Sequence, residues 1–197
     1  MAITNGYATL AEVKAALRLT DNVDDALLEN AIEGASRRID GHCSTFFYQT
    51  SSAVKTYAWN EFVVNIPDAA SVASVKTDDD GNGTYETTWT AGVDYQLEPL
   101  DRALQGRPVR RVTAIGGKTF PLFTVPALPG VEITATWGWP AVPDDVREAC
   151  ILLSMRQFAR FNAALGVVGF ADMAIQVRAV DPDVRDLLAP YRKFAVA

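Results

Sequence analysis

The sequence has few of the side chains that most often carry catalysis or bind metals. It contains one histidine, His42, and two cysteines, Cys43 and Cys150. His42 and Cys43 are adjacent near the end of a predicted helix, so their side chains point in different directions and make a poor catalytic dyad. A zinc site needs more histidine and cysteine ligands than this chain offers. We therefore expect two buried free thiols, no catalytic residue, no metal site and no cofactor.

The sequence also lacks a long hydrophobic run and an excess of basic residues. Its mean hydropathy is +0.04, its net charge is −6 and its pI is about 4.8. No apolar stretch is long enough to cross a bilayer and no signal-peptide pattern occurs in residues 1–10, so we expect a non-secreted protein without a membrane segment. Proteins that grip nucleic acid usually carry a basic patch. The one local basic cluster, which we interpret as a solvated surface, is Arg102, Arg107, Arg110 and Arg111.

Helical patterns occupy both ends of the sequence. Thr9 and Glu12 have the spacing of a capping box, which predicts a helix over residues 10–18. A second amphipathic helix is predicted from Asp24 and Asp25 onward, with apolar residues three or four positions apart. A long central helix is predicted to open at Pro143, and a closing helix is predicted to end before Pro190.

Short runs rich in β-branched and aromatic residues fill the middle of the sequence. Turn residues separate them, including a Pro67-Asp68 pair that we interpret as a break between two strands. The pattern predicts six or seven antiparallel strands. We therefore expect an α+β fold, in which a helical domain carries an inserted antiparallel β region: residues 1–48 form a helical hairpin, residues 49–138 the β region, and residues 139–197 the central helix, a loop and the C-terminal helix.

Two loops imitate known ligand-binding motifs. The first resembles part of a calcium loop, but its twelfth position is Trp89 instead of a glutamate, and we interpret it as a polar hairpin turn. Its ligand-type residues are Asp78, Asp80, Asn82, Gly83 and Glu86. The second, Gly116-Gly117-Lys118-Thr119, lacks the first glycine of a phosphate-binding loop and is followed by Phe120-Pro121 instead of a helix, so we expect no phosphate site there.

Several stretches, taken together and in this order, resemble the head-tail connector (adaptor) family of tailed bacteriophages and phage-like particles. They are residues 7–14 (the opening helix), 24–40 (the second helix), 43–46 (a turn), 94–97 (a strand), 137–149 (a strand, a turn and the central helix) and 183–192 (the closing helix). The excursion over residues 116–129 has no counterpart in the family pattern. The resemblance otherwise extends over nearly the whole chain.

The resemblance implies a structural role in the virion. Such a protein forms a ring beneath the portal, expected to be a dodecamer, and joins the DNA-filled head to the tail. Its partners would be itself, the portal protein and a stopper or tail-completion protein, with DNA passing through the channel without sequence-specific binding. We expect Phe170, Ile175 and Val177 to contact the neighbouring subunit, because residues 166–180 are apolar yet poorly placed for the chain's own core and end in a tail that alternates like an edge strand.

We expect the portal to be contacted by Tyr191, Arg192 and Phe194, an aromatic and arginine set near the end of the chain. Three other functions remain open. The chain could be a stopper or tail-completion protein of the same connector. A β-rich binding module would expose an aromatic platform from Trp59, Trp89, Trp137 and Trp139, and a hydrolase would hold a perturbed carboxylate in a deep pocket.

Overall fold

The computed structural model describes residues 3–57, 60–123, 128–162, 169–170, 173–174 and 182–193. The chain divides into two compact units: residues 1–47 with 142–197, and residues 48–141. Within the described residues, none of the helices combines the length and the apolar composition needed to span a bilayer.

Four helices form most of the first unit. They are α1 (Leu10–Leu17), α2 (Asp25–Cys43), α4 (Asp144–Asn162) and α5 (Pro182–Leu188), the last followed by a short 3-10 helix (Ala189–Tyr191). The predicted capping box at the start of α1 is confirmed: Glu12 N donates to Thr9 Oγ1 at 3.2 Å, and Thr9 N donates to Glu12 Oε2 at 2.7 Å. The unit also contains a two-stranded antiparallel pair, β7 (Gly169–Phe170) with β8 (Met173–Ala174).

The core of this unit lies where α4 packs against α1, α2 and α5. Apolar residues at helical spacing fill it, among them Leu28, Ile32 and Ile39 of α2, all fully buried. Ser36 is also buried, and its hydroxyl accepts from Tyr7 N at 3.0 Å and lies 2.8 Å from the carbonyl oxygen of Ile32. Both cysteines are buried free thiols in this core, as predicted.

The second unit is a six-stranded antiparallel sheet. Its strands are β1 (Ser52–Tyr57), β2 (Val63–Thr77), β3 (Thr87–Trp89), β4 (Tyr95–Glu98), β5 (Val109–Ala114) and β6 (Val131–Trp137), with the short helix α3 (Arg102–Gln105) between β4 and β5. The order across the sheet is β1-β6-β2-β5-β4, and β3 pairs with the end of β2. Alternate residues of β6, from Val131 to Trp137, point into a core that also contains the stacked rings of Trp89 and Phe120.

The predicted fold class, a helical domain carrying an inserted β region, is wrong. The chain is α+β, and its described residues form five helices and a six-stranded sheet, with more strand than that description allows. The turn predicted at Pro67-Asp68 does not interrupt the strand, because β2 continues through it for 15 residues. The pairing of β2 with β5 shifts register between Asn65 and Ala69, and Pro67 lies in this irregularity. A proline lacks the N–H that a regular ladder needs, but a bulge leaves a residue unpaired and tolerates it.

Candidate partner-binding surfaces

The residues predicted to contact a portal begin at the end of the 3-10 helix, where the chain is held against its own unit. Tyr191 packs edge-to-face on Phe47 with ring centroids 5.7 Å apart, and its hydroxyl donates to Asp145 Oδ2 at 2.9 Å. The backbone N–H of Lys193 donates to the carbonyl oxygen of Cys43 at 2.9 Å. Arg192 is exposed beside them, whereas Phe194 lies outside the described residues. These contacts hold Tyr191 and Lys193 against the first unit.

A second set of contacts joins the start of the chain to the end of α2. The Tyr7 hydroxyl donates to Asp40 and accepts from Phe47 N at 2.8 Å. Burial raises the pKa of Tyr7 above its usual value, and the hydrogen bond to Asp40 raises it further. Burial also raises the pKa of Asp40, against the opposing effects of the Tyr7 hydroxyl and Arg37. The perturbed carboxylate of Asp40 is thus bound to the Tyr7 hydroxyl in a structural contact. A hydrolase would need such a carboxylate to face a substrate, so this contact argues against the hydrolase hypothesis.

His42 and Cys43 do not form a catalytic pair. Burial lowers the pKa of His42, and the positive charges of Arg192 and Arg185 lower it further. Its Nε2 atom is buried and has no hydrogen-bond partner among the described residues. Burial raises the pKa of Cys43 to about 11, with a further contribution from Asp40. A thiol held in its neutral form is a poor nucleophile.

The segment predicted to contact a neighbouring subunit is described only in part. Phe170 lies in β7, where its backbone pairs with Met173 of β8. Ile175 and Val177 lie outside the described residues. The backbone at Phe170 therefore pairs locally within the chain, and the contact with a neighbouring subunit stays a prediction.

The turn after β2 is the polar hairpin turn expected from its sequence. Asp78 is buried, and its carboxylate accepts from the backbone N–H groups of Gly81 at 2.7 Å, Gly83 at 2.8 Å and Asn82 at 3.3 Å. Burial raises the pKa of Asp78, but these hydrogen bonds outweigh it and hold the pKa below its usual value. Oxygen atoms of Asp78, Asp80 and Glu86 lie within 4.8 Å of one another, so the turn concentrates negative charge.

A polar row crosses the sheet in the basic region, and sequence patterns did not reveal it. Asn65 of β2, Arg111 of β5 and Glu98 of β4 are register partners. Arg111 Nε donates to Asn65 Oδ1 at 3.2 Å, and its Nη1 donates to Glu98 Oε2 at 3.3 Å. An open groove of about 350 Å³ surrounds the row, lined by Asn65, Glu98, Pro99, Arg110 and Arg111.

The three tryptophans that the structure describes do not form an exposed aromatic platform. Trp89, Trp137 and Trp139 are 6%, 2% and 3% exposed, and Trp59 lies outside the described residues. Trp89 Nε1 donates to Thr77 Oγ1 at 3.0 Å, and Trp139 Nε1 donates to Asp68 Oδ2 at 3.1 Å. Buried tryptophans with satisfied N–H groups are core residues, which argues against the binding-module reading.

The glycine-rich loop after β5 does not have the geometry of a phosphate-binding loop. Gly116 and Gly117 have positive φ angles and form a turn, with Lys118 N donating to the carbonyl oxygen of Ile115 at 3.1 Å. The Lys118 ammonium lies 3.9 Å from Asp94 Oδ1 and 6.0 Å from the centre of the Trp89 ring. Irregular chain, instead of a helix, follows this turn over residues 118–123.

The first part of the chain matches a known protein family. Residues 7–88, which include α1, α2, β1, β2 and the beginning of β3, match the family model described as phage gp6-like head-tail connector protein. The resemblance inferred from the sequence is thereby confirmed over residues 7–88. No curated protein matches the chain at a significant level.

Solved structures share the fold over the whole chain. A chain from the neck of an empty GTA particle, computed with C6 symmetry, is 23% identical with a TM-score of 0.57, and the match covers 100% of this chain and 95% of that one. A chain from the neck of a native GTA particle, computed with C12 symmetry, is 22% identical with a TM-score of 0.56 and coverages of 100% and 94%. A chain from the virion of a native gene transfer agent particle is 24% identical with a TM-score of 0.56 and coverages of 100% and 95%.

Proposed function

We propose that this protein is a head-tail connector subunit, which forms a closed ring in the neck of a tailed phage or phage-like particle and joins the DNA-filled head to the tail. The match of residues 7–88 to the connector family carries this proposal. The shared fold supports it, because the whole of this chain aligns with chains from particle necks. The role is structural and requires neither a catalytic residue nor a cofactor.

We propose twelve copies per ring. One of the neck chains with this fold was computed with C12 symmetry. A ring of identical subunits needs a heterologous interface, in which one patch of each copy meets a different patch of the next copy. DNA would pass through the centre, and the net charge of −6 is compatible with a channel wall to which DNA does not adhere.

For the portal contact we propose Tyr191, Arg192 and Phe194. Tyr191 and Lys193 are used inside the unit, so truncation after Pro190 would also remove contacts to Phe47, Asp145 and Cys43. A truncation after Lys193 and the substitution Arg192→Glu are sharper tests, because both leave those contacts in place. Each should weaken capture by the portal protein without lowering the thermal midpoint. Unchanged capture by both variants would argue against this contact.

For one side of the contact between neighbouring copies we propose Phe170, Ile175 and Val177. Deleting residues 170–177 should then prevent ring formation while the subunit stays folded, as judged by circular dichroism. Rings of unchanged size and stability after the deletion would contradict this assignment.

The mass of the protein in solution tests the proposed function directly. Light scattering over a concentration series, with and without a portal protein, should find a large closed oligomer either alone or after portal is added. Adding the portal and a tail-completion protein in different orders then separates an adaptor, which binds portal first, from a stopper, which binds only to the portal-adaptor complex. A monomer that ignores the portal would contradict the proposal.

A further inference from the structure

The polar row on the outer surface of the sheet is a preformed acceptor for negative charge. Arg111 is held between Asn65 and Glu98 from the two adjacent strands, so its guanidinium has a fixed direction. The side chains of Arg110 and Arg111 remain 40% and 51% exposed. Each guanidinium has five N–H donors. Hydrogen bonds among the described residues use one donor of Arg110 and two of Arg111, so donors remain for a partner.

Two exposed leucines lie in the segment that follows Pro99, a residue that lines the groove. Leu100 is 68% exposed and Leu104 is 93% exposed, in the segment between β4 and β5. Arg102 stiffens this segment, because its Nη1 donates to the carbonyl oxygens of Leu97 at 2.9 Å and Pro99 at 3.3 Å. Arginine beside exposed apolar side chains on a rigid loop is typical of a protein interface. The surface is a poor match to DNA phosphates, because Asp68 and Glu98 pair with the two arginines and offset part of their positive charge.

The chain itself carries a surface with the complementary charge. Residues 78–86 contain four carboxylates and no lysine or arginine: Asp78, Asp79, Asp80 and Glu86. Asn82 holds two of them side by side, since its Nδ2 donates to Asp80 Oδ2 at 2.9 Å and to Glu86 Oε1 at 3.1 Å. Among the described residues, no lysine or arginine forms a salt bridge with this acidic turn (residues 78–86). The exposed carboxylates of Asp79, Asp80 and Glu86 are thus available to a partner, whereas that of Asp78 is buried within the turn.

The groove and the acidic turn belong to opposite ends of β2. Asn65 is the third residue of this strand, and the turn follows its last residue, Thr77. A strand of 15 residues extends up to about 50 Å, less where it is bulged. Each copy could therefore place its acidic turn in the groove of the next copy in the ring while its own groove receives the turn of the copy before it. This is the head-to-tail arrangement from which rings are built.

We propose that, in the ring, the groove around Arg111 receives the acidic turn of the neighbouring copy, with Leu100 and Leu104 covered at the edge of the contact. This inference rests on the proposed function, because it names an interface of the proposed ring. The turn is held in shape by the hydrogen bonds to Asp78, so little conformational entropy is lost on docking. The contact would weaken with salt, as expected for exposed charge pairs.

A charge exchange between the two surfaces tests this interface. Arg111→Glu and Asp80→Lys should each raise the protein concentration at half-maximal ring formation by at least about tenfold, since close interfacial charge pairs contribute that much or more. The double variant, Arg111→Glu with Asp80→Lys, should restore rings. An equimolar mixture of the two single variants should also form rings in which the variants alternate. The acidic groove of Arg111→Glu then meets the basic turn of Asp80→Lys, and the unchanged basic groove of the second variant meets the unchanged acidic turn of the first. Arg38→Glu, an equal charge change at an exposed position of α2, is the matched control and should form rings like wild type.

The possible failures are distinguishable. If the single variants form rings as stable as those of wild type and the control, this interface is wrong, but the proposed ring is still supported. If wild type forms no ring with or without portal, the proposed function fails and the interface fails with it. If Arg111→Glu leaves rings intact but reduces salt-dependent binding to duplex DNA, the groove contacts DNA and our inference is overturned. Should Arg111→Glu lower the thermal midpoint, Arg111→Gln removes the charge without introducing repulsion from Glu98 and serves in its place.

Discussion

Arg110 Nε donates a 2.8 Å hydrogen bond to Oδ1 of Asp68, whose side chain is only 3% exposed. The other carboxylate oxygen accepts from Trp139 Nε1, and the backbone oxygen of Asp68 accepts from Gly138 N at 2.7 Å. One residue in the irregular part of β2 therefore binds both β5 and the turn after β6. A buried carboxylate is tolerated only when it is paired and hydrogen-bonded, and these contacts meet that condition.

Removing the charge of Arg110 should destabilise the protein. In Arg110→Met the carboxylate of Asp68 stays buried and loses its ionic partner, so we expect the free energy of unfolding to fall by about 2 kcal/mol, less than for a fully buried pair because Arg110 is partly in water. Urea denaturation measures the change. Arg107→Met, at an exposed position between α3 and β5, is the control and should stay within about 0.5 kcal/mol of wild type. Equal effects of the two substitutions would contradict the role given to Asp68.

Gly138 cannot be replaced without strain. Its φ angle is +109°, and a Cβ atom at this position would lie 2.0 Å from the carbonyl oxygen of Tyr48. Gly138→Ala should therefore lower the free energy of unfolding by more than about 3 kcal/mol. Gly41→Ala is the matched control: this glycine is exposed in α2, no atom lies within 4 Å of the added Cβ, and we expect a gain of about 0.5–1 kcal/mol. Similar thermal midpoints for both variants would show that the turn relaxes more easily than its geometry indicates.

Asp78 should make stability depend on pH. Its pKa is lowered in the folded protein, so its contribution is complete above the unfolded-state pKa of about 3.9 and is lost as the pH falls through the lower folded-state value. Asp78→Asn should reduce the urea midpoint at pH 7, because one amide oxygen cannot replace two charged acceptors. The difference in urea midpoint between Asp78→Asn and wild type should become smaller below pH 4.

The neighbouring carboxylate provides the control for that experiment. Asp79 is exposed, and its hydrogen bond from Thr87 Oγ1 could equally be accepted by an amide oxygen. Asp79→Asn should therefore leave the midpoint nearly unchanged at both pH values. A pH-independent deficit in Asp78→Asn would mean that the shape of the side chain, and not its charge, holds the turn.

The acidic turn should also fail to respond to calcium. The oxygens of Asp78 already accept three backbone N–H groups, and Trp89, at the position of the missing bidentate glutamate, is buried and donates to Thr77. Millimolar calcium should leave the thermal midpoint of wild type at the value found with EDTA. A rise that Glu86→Gln abolishes would instead identify a cation site in the turn.

Local signals were readable from the sequence. The capping box at Thr9 and Glu12, and the alternation of β6 from Val131 to Trp137, each lie within a few consecutive residues and match the structure. The end of the closing helix before Pro190 was predicted for the same reason, because proline acts on its immediate neighbours. Elements whose cause is local were therefore predicted correctly.

Features that depend on strand register were not readable. Pro67 suggested a turn, but its effect on β2 is decided by the change of pairing between Asn65 and Ala69. Likewise the row of Asn65, Arg111 and Glu98 joins residues from three strands, and only the pairing of β2, β5 and β4 aligns them. The cluster of arginines could be recognised from the sequence, whereas the groove could not, because it depends on the register in which the strands pair.

The two thiols should be unreactive until the protein unfolds. Cys43 is fully buried, and with a pKa of about 11 only about one thiol in a thousand is ionised at pH 8, so a thiol reagent lacks both access and a nucleophile. Burial also raises the pKa of Cys150.

Ellman's reagent should label neither thiol of the native protein within minutes at pH 8 and both thiols in strong denaturant. Ala103→Cys, at an exposed position of α3, should add one thiol that reacts at once and so shows that the reagent is active. If wild type reacted as fast as the added thiol, the first unit would open readily, and the packing of Tyr7 and Tyr191 on Phe47 would be weaker than its geometry implies.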